Sequence, residues 1–252
     1  GDIMINRKRS ERGNILFLIL LAVILFAALS YAVTQSLRGG GTDASSEKNL
    51  VKSAQISQYP VGIRVAMMRM MVSNGDATGF NFDPPSVFGS MGTSDLLVNV
   101  FHPTGGGANF SLVPSEALAT PSATARWIFT RNFEIPNLGT TGAGDAGNEL
   151  MAMIDGVDSA LCSKINSQLG VSTVPVVNTT LTLTISGSLM QEVYEYTTYG
   201  GLQGKNGVTG SSPSNVIITE ASSGTTINDK PYLCVRNGVS GNYVYYHVLV
   251  ER

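Results

Sequence analysis

The chain has 252 residues, of which 43% are hydrophobic and only 13% charged, and its formal net charge is −2. Four basic and two acidic residues fall within the first thirteen, so the remainder carries −4, and the lack of basic runs there argues against nucleic acid as a partner. Scarce charge beside 28 glycines is unusual for a cytosolic enzyme and suits a loop-rich, β-rich domain outside the cytoplasm.

Residues 1–13 form a basic leader containing Arg7, Lys8, Arg9 and Arg12. From Ile15 to Val33 no charged residue occurs. A helix rising ~1.5 Å per residue needs about 20 such residues to cross a ~30 Å hydrocarbon layer. The pattern predicts a transmembrane helix over 14–38. Basic residues resist translocation, and only Arg38 follows closely, so the N-terminus is expected in the cytoplasm with the remainder across the membrane. Two other readings stay open. One is a cleaved secretory signal ending near Ala28-Leu29-Ser30, and the other is a buried core helix.

Gly39-Gly40-Gly41 opens a predicted hinge over 39–44, because each glycine costs a helix about 1 kcal/mol relative to alanine. An amphipathic helix is predicted over 45–75. Ser45 is its N-cap, Glu47 lies in its first turn, Pro60 kinks it and Asn74-Gly75 stops it. Its apolar face is read from Leu50, Ala54, Ile63, Ala66, Met67, Met70 and Met71. The Met67, Met68, Met70, Met71 cluster reads as core filling rather than a copper site, since no His or Cys is near it in sequence.

Residues 76–252 are expected to form an extracytoplasmic, β-rich head. Strands are predicted at Leu96–Phe101, Arg126–Thr130, Leu181–Ile185, Val193–Tyr199 and Val216–Thr219. A final hairpin pairs Tyr232–Arg236 with Tyr243–Val250 around Asn237-Gly238. In its second strand one alternate set of residues is expected to face the core. Glu149–Leu169 reads as a helix interrupted at Asp155-Gly156, restarted by Asp158 as cap and ended by Gly170. Gly200–Ser214 reads as a low-complexity loop. Cys162 and Cys234 can pair if the head lies outside the cytoplasm; the alternative is two buried free thiols. The fold class expected is α+β: a transmembrane helix, an amphipathic helix, and an antiparallel β-rich head with one further helix and a disulfide.

The basic leader ending in Arg12-Gly13, the single apolar helix, the amphipathic helix and the β-rich head with late cysteines together resemble type IV pilins and the pseudopilins of type II secretion. The specific likeness covers about residues 7–38. It implies that a prepilin peptidase cuts after Gly13 and leaves Asn14 as a methylated N-terminus. It also implies that the apolar helix anchors the subunit in the bacterial inner membrane and later packs inside a filament. The implied partners are inner-membrane lipid, the peptidase, and like subunits or other pilins and pseudopilins. The Cys162–Cys234 loop would take the place of the family's disulfide-bounded C-terminal region, and the long leader and late cysteines look like the type IVb branch. This sequence has Asn14 where most of the family has Phe or Met. It has Leu18 at the fifth mature position, where most have Glu; a tip pseudopilin of the family also lacks that Glu. The triple glycine departs from the family's continuous first helix.

No enzymatic site stands out, and neither a cofactor nor a metal is expected. Gly142 to Gly147 matches G-x-G-x-x-G but lacks the preceding strand and the following acidic strand end of a dinucleotide fold. Asp145, Glu149, Asp155 and Asp158 are oxygen ligands close in sequence; calcium binding and simple helix capping both remain open. His102 and His247, the only histidines, have no metal-spaced partners. Ser90, Ser159 and Ser163 lack a nucleophile setting. Tyr194, Tyr196, Tyr199, Tyr243 and Tyr245 are read as strand packing, with a binding face as the alternative. The function expected is a pilin-like or pseudopilin-like structural subunit. The alternatives are a signal-anchored periplasmic binding or scaffold protein that does not polymerise, and an extracytoplasmic enzyme.

Overall fold

The computed structural model describes residues 12–73, 80–139, 149–178, 193–197, 201–205, 216–221 and 224–251. The first element is one helix, α1 (Arg12–Ser73), of 62 residues. It passes through Gly39-Gly40-Gly41 without a break, where a hinge is predicted. Three glycines cost about 3 kcal/mol relative to alanine. Breaking the helix there would instead create two new ends, each leaving four backbone groups without intrahelical partners. Pro60 is accommodated inside the helix. The predicted stop at Asn74-Gly75 lies outside the described residues, as do residues 1–11 of the leader.

By internal contacts the chain divides within α1 into two units, Gly1–Lys48 and Asn49–Arg252. The second unit is built on a six-stranded sheet. Its strands are β1 (Ile128–Glu134), β2 (Glu149–Asp155), β3 (Val176–Val177), β6 (Val216–Ile217), β7 (Tyr232–Asn237) and β8 (Tyr243–Val250). They lie in the order β3-β7-β8-β2-β1-β6. The four inner strands pair antiparallel. The short edge strands β3 and β6 pair parallel with β7 and β1, so the sheet is mixed rather than purely antiparallel. A separate hairpin joins β4 (Val193–Thr197) to β5 (Gly201–Lys205), placing a strand where a loop over 200–214 is expected.

Three readings change for identifiable reasons. Leu96–Phe101 is not a strand: α2 (Thr93–Leu97) ends within it. The buried Asn99 side chain then takes over the role of a ladder. Its Oδ1 accepts from the Phe101 and His102 amides, and its Nδ2 donates to Asn81 Oδ1 and to the Asp83 carbonyl. Residues 149–155 are a strand, not the first half of a helix. Glu, Leu, Met and Ala favour helix, but six consecutive buried residues paired on both sides make a central strand, and pairing overrides propensity. The helix does begin where expected, as α3 (Ser159–Gln168), with Asp158 Oδ1 accepting from the Ala160 and Leu161 amides. Gly170 follows its end at φ +74°, the left-handed geometry that suits glycine.

The third change concerns β8, which is buried on both faces from Val244 to Leu249. Tyr245 and Leu249 join Leu150, Ala152, Ile154 and Phe129 in a core with α3 and with Ile56, Ile63, Met67 and Met70 of α1. Val244, Tyr246 and Val248 face a second core with Met151, Met153, Leu233 and Val235, closed by Ile135, Leu138, Val171, Val177, Ile218 and Ile227. Strands covered on both sides need no polar alternation.

Cys162 on α3 and Cys234 on β7 stand at disulfide distance, Cα atoms 5.4 Å apart and both side chains buried. One helical turn on, Asn166 grips the same strand residue, donating from Nδ2 to the Cys234 carbonyl at 2.8 Å and accepting its amide at 2.9 Å. The amide side chain thus gives Cys234 the two backbone bonds that a neighbouring strand would supply.

Candidate membrane and assembly surface

Within the first unit, Phe17–Gln35 of α1 is 19 residues long with a mean hydropathy of 2.6, and none of it is buried. This helix is long and apolar enough to cross a membrane. Its few polar side chains cluster at one end, and two of them bond within the helix: Thr34 Oγ1 donates to the Ser30 carbonyl at 2.7 Å, and Gln35 Nε2 donates to Tyr31 Oη at 2.7 Å. Local satisfaction is what hydrocarbon requires, because no water is there to complete a hydrogen bond. Gly13 and Asn14 lie in the first turn of α1. Leu18 is an exposed residue of the apolar surface.

Within the second unit, α1 is apolar on two sides. Ile56, Ile63, Met67 and Met70 are buried against the sheet. Leu50, Ala54 and Met71, predicted to share that face, are exposed instead. Val61, Val65, Met68 and Val72 form a separate stripe at spacings of four, three and four, and they are 49%, 56%, 50% and 85% exposed. Residues so spaced lie on one helix face. A helix lying on a globular domain normally turns a polar side to water.

Polar side chains inside the second unit are mostly structural. Tyr245 Oη lies 2.9 Å from His247 Nδ1, and the Tyr232 ring stacks on the imidazole with centroids 5.1 Å apart. Burial, then the positive charge of Arg64, lowers His247 to about 4. Tyr59 packs on Trp127 at 4.9 Å and accepts the Ser111 amide; burial pushes it up to about 12. His102 is held by Thr104 Oγ1 at 2.7 Å and by the edge of Phe88. Ser90 and Ser163 donate to backbone carbonyls of their own helical turns.

The acidic residues expected near a calcium site go separate ways. Glu149 is buried at the start of β2, Asp158 caps α3, and Asp155 accepts from Asn242 Nδ2 at 3.3 Å. Asp145 and the glycines Gly142–Gly147 lie outside the described residues. Among the described residues, no group of three His, Cys, Asp or Glu side chains is arranged to hold a metal ion. Of the tyrosines, Tyr245 is core and Tyr243 half-buried; the side chains of Tyr194, Tyr196 and Tyr199 are outside the described set, as is Leu181–Ile185.

No family model, no curated protein and no solved structure matches this chain. Its function therefore has to be argued from its own surfaces. The sequence reading missed one feature, the buried pair Glu134 and Glu149. The available signal was an acidic residue against apolar neighbours, within Phe133-Glu134-Ile135 and directly before the apolar run Leu150-Met151-Ala152-Met153-Ile154.

Proposed function

We propose that the chain is a pilin-like or pseudopilin-like subunit, anchored in the bacterial inner membrane with its N-terminus cytoplasmic. Its head would be periplasmic or carried on an extracellular filament or secretion assembly. The observation that carries this reading is the wholly exposed apolar stretch Phe17–Gln35 within a helix that continues unbroken to Ser73. Continuity through Gly39–Gly41 removes one of the departures from the family pattern. The second apolar stripe, Val61 to Val72, supplies a further face for like subunits or other pilins. Its role would be structural, with no catalysis.

Coexpression with a prepilin peptidase and mass spectrometry of the mature N-terminus test the reading. A chain beginning at methylated Asn14 supports it, and a chain left uncut before Arg7 refutes it. A signal-anchored periplasmic binding or scaffold protein that never polymerises is the second reading. Leu18 favours it, because the family usually places its assembly carboxylate at that position.

A further inference from the structure

In the second unit α1 carries one apolar stripe on the side turned away from the sheet. Ile56, Ile63, Met67 and Met70 face inward, packed in the core. Leu50, Ala54, Val61, Val65, Met68 and Val72 are exposed. At about 100° per residue these six fall within an arc of about 60° on the opposite side of the helix. Leu50 and Val61, Ala54 and Val65, and Val61 and Val72 are each eleven residues apart. An eleven-residue repeat corresponds to about 3.67 residues per turn, close to the period of the helix itself, so the stripe runs nearly straight for about 33 Å.

A straight stripe of that length fits a second helix laid alongside it. A strand is the poorer partner for this unit, because the two outer sides of its sheet are bonded to each other. The Asn178 amide donates to the Thr219 carbonyl at 3.0 Å, and the Ala221 amide donates to the Val176 carbonyl at 2.8 Å. Those bonds use up edge that an added strand would need.

Charge on the flanks of the stripe points to a second copy of this chain. On one flank Arg64 holds Glu251 at 3.9 Å. On the other flank Arg69 is exposed and makes no salt bridge among the described residues. In a parallel helix pair, a residue on one flank meets the opposite flank of its partner about five positions further on. Arg69 lies five positions beyond Arg64. Two copies in register therefore bring Arg69 of one to the Arg64–Glu251 pair of the other, and two-fold symmetry repeats the contact on both flanks. Copies anchored through Phe17–Gln35 enter one membrane in the same sense, which selects the parallel encounter and raises their effective concentration. This last step rests on the membrane-anchored reading given above.

We propose that the stripe from Leu50 to Val72 seats a parallel, in-register homodimer, in which Glu251 of each copy is shared between its own Arg64 and Arg69 of the other. Mutual covering of the apolar side chains supplies the attraction, and the flanking charges fix the register.

The test is oxidative cross-linking of the full chain, coexpressed with a prepilin peptidase, purified and placed in liposomes. The native cysteines are joined to each other and buried, so single introduced cysteines report the contact. Ala54→Cys and Met68→Cys alter exposed residues, and each should form a disulfide-linked dimer with itself. Gln55→Cys, exposed but off the stripe, should form none. An antiparallel pair would link the first two variants to each other but neither to itself, and a staggered packing or a monomer would leave both unlinked; either result overturns the proposal. Glu251→Gln should lower the linked fraction of Met68→Cys about twofold or more at low ionic strength, with the difference lost in about 1 M salt. An unchanged fraction at low ionic strength overturns the shared carboxylate and the register drawn from it. Mass spectrometry of the N-terminus of the same protein keeps the two readings apart. Methylated Asn14 without self-linking rejects the dimer alone, and self-linking in an uncut chain rejects the pilin-like reading alone.

Discussion

Replacing both Cys162 and Cys234 by alanine removes a link between residues 72 positions apart while leaving the Asn166 grip on the Cys234 backbone. Because that grip holds α3 against β7 by itself, the folded geometry should survive, and the loss should fall chiefly on the unfolded state. In the chain-entropy model a closed loop of this length contributes about 4 kcal/mol. For a unit of roughly 200 residues, with an unfolding entropy of about 2.1 cal/mol/K per residue, this corresponds to a fall in melting temperature of about 9 °C. The buried Trp127 is the only tryptophan, so its fluorescence follows unfolding of this unit directly. The native spectrum should be unchanged and the midpoint lowered. A midpoint within about 2 °C of the wild type would show that the link does not restrict the unfolded chain. A changed native spectrum would show that Asn166 cannot hold the geometry without it.

Asn166→Ala should be destabilising even with the disulfide intact. It leaves a buried amide and carbonyl of Cys234 unpaired at about 1–3 kcal/mol each, and an unchanged denaturant midpoint would refute the clamp. Val65→Asp alters a residue exposed in the second unit, so the unit's stability should change by little more than an ordinary surface substitution allows, about 0.5 kcal/mol. If the Val61–Val72 stripe is an assembly face, the same variant should abolish cross-linking between subunits in the membrane, and undiminished cross-linking would exclude the stripe from assembly.

The features that could be read from sequence were those set by local rules. Asp158 as cap, Gly170 beyond the helix end, the closing hairpin and the apolar span each depend on a few neighbouring residues. The failures depended on distant partners. Residues 149–155 carry helix-forming side chains, and only β1 and β8 on either side make them a strand. Asn99 ends a plausible strand at Leu96–Phe101 because Asn81 and Asp83, far back in the chain, wait for its amide. The triple glycine reads as a break when only its own propensity is counted. Glu134 and Glu149 are each buried once β1 and β2 take their places in the sheet, which no local pattern announces.

The position of β8 in the sheet also bears on how this unit is made. It lies between β7 and β2 and follows every other element in the chain. Without it, β2, β1 and β6 form one fragment and β3 and β7 another, linked only at their outer edge by the short bridge between Val177 and Glu220 rather than by a strand pair. Both cores include residues of β8, so neither can close early. The earlier strands must be kept from other partners until Tyr243–Val250 arrives. Synthesis therefore passes through a long interval in which most of the unit is present but cannot yet fold, a state open to aggregation and proteolysis. A chain shortened at Asn242 would remain in that state.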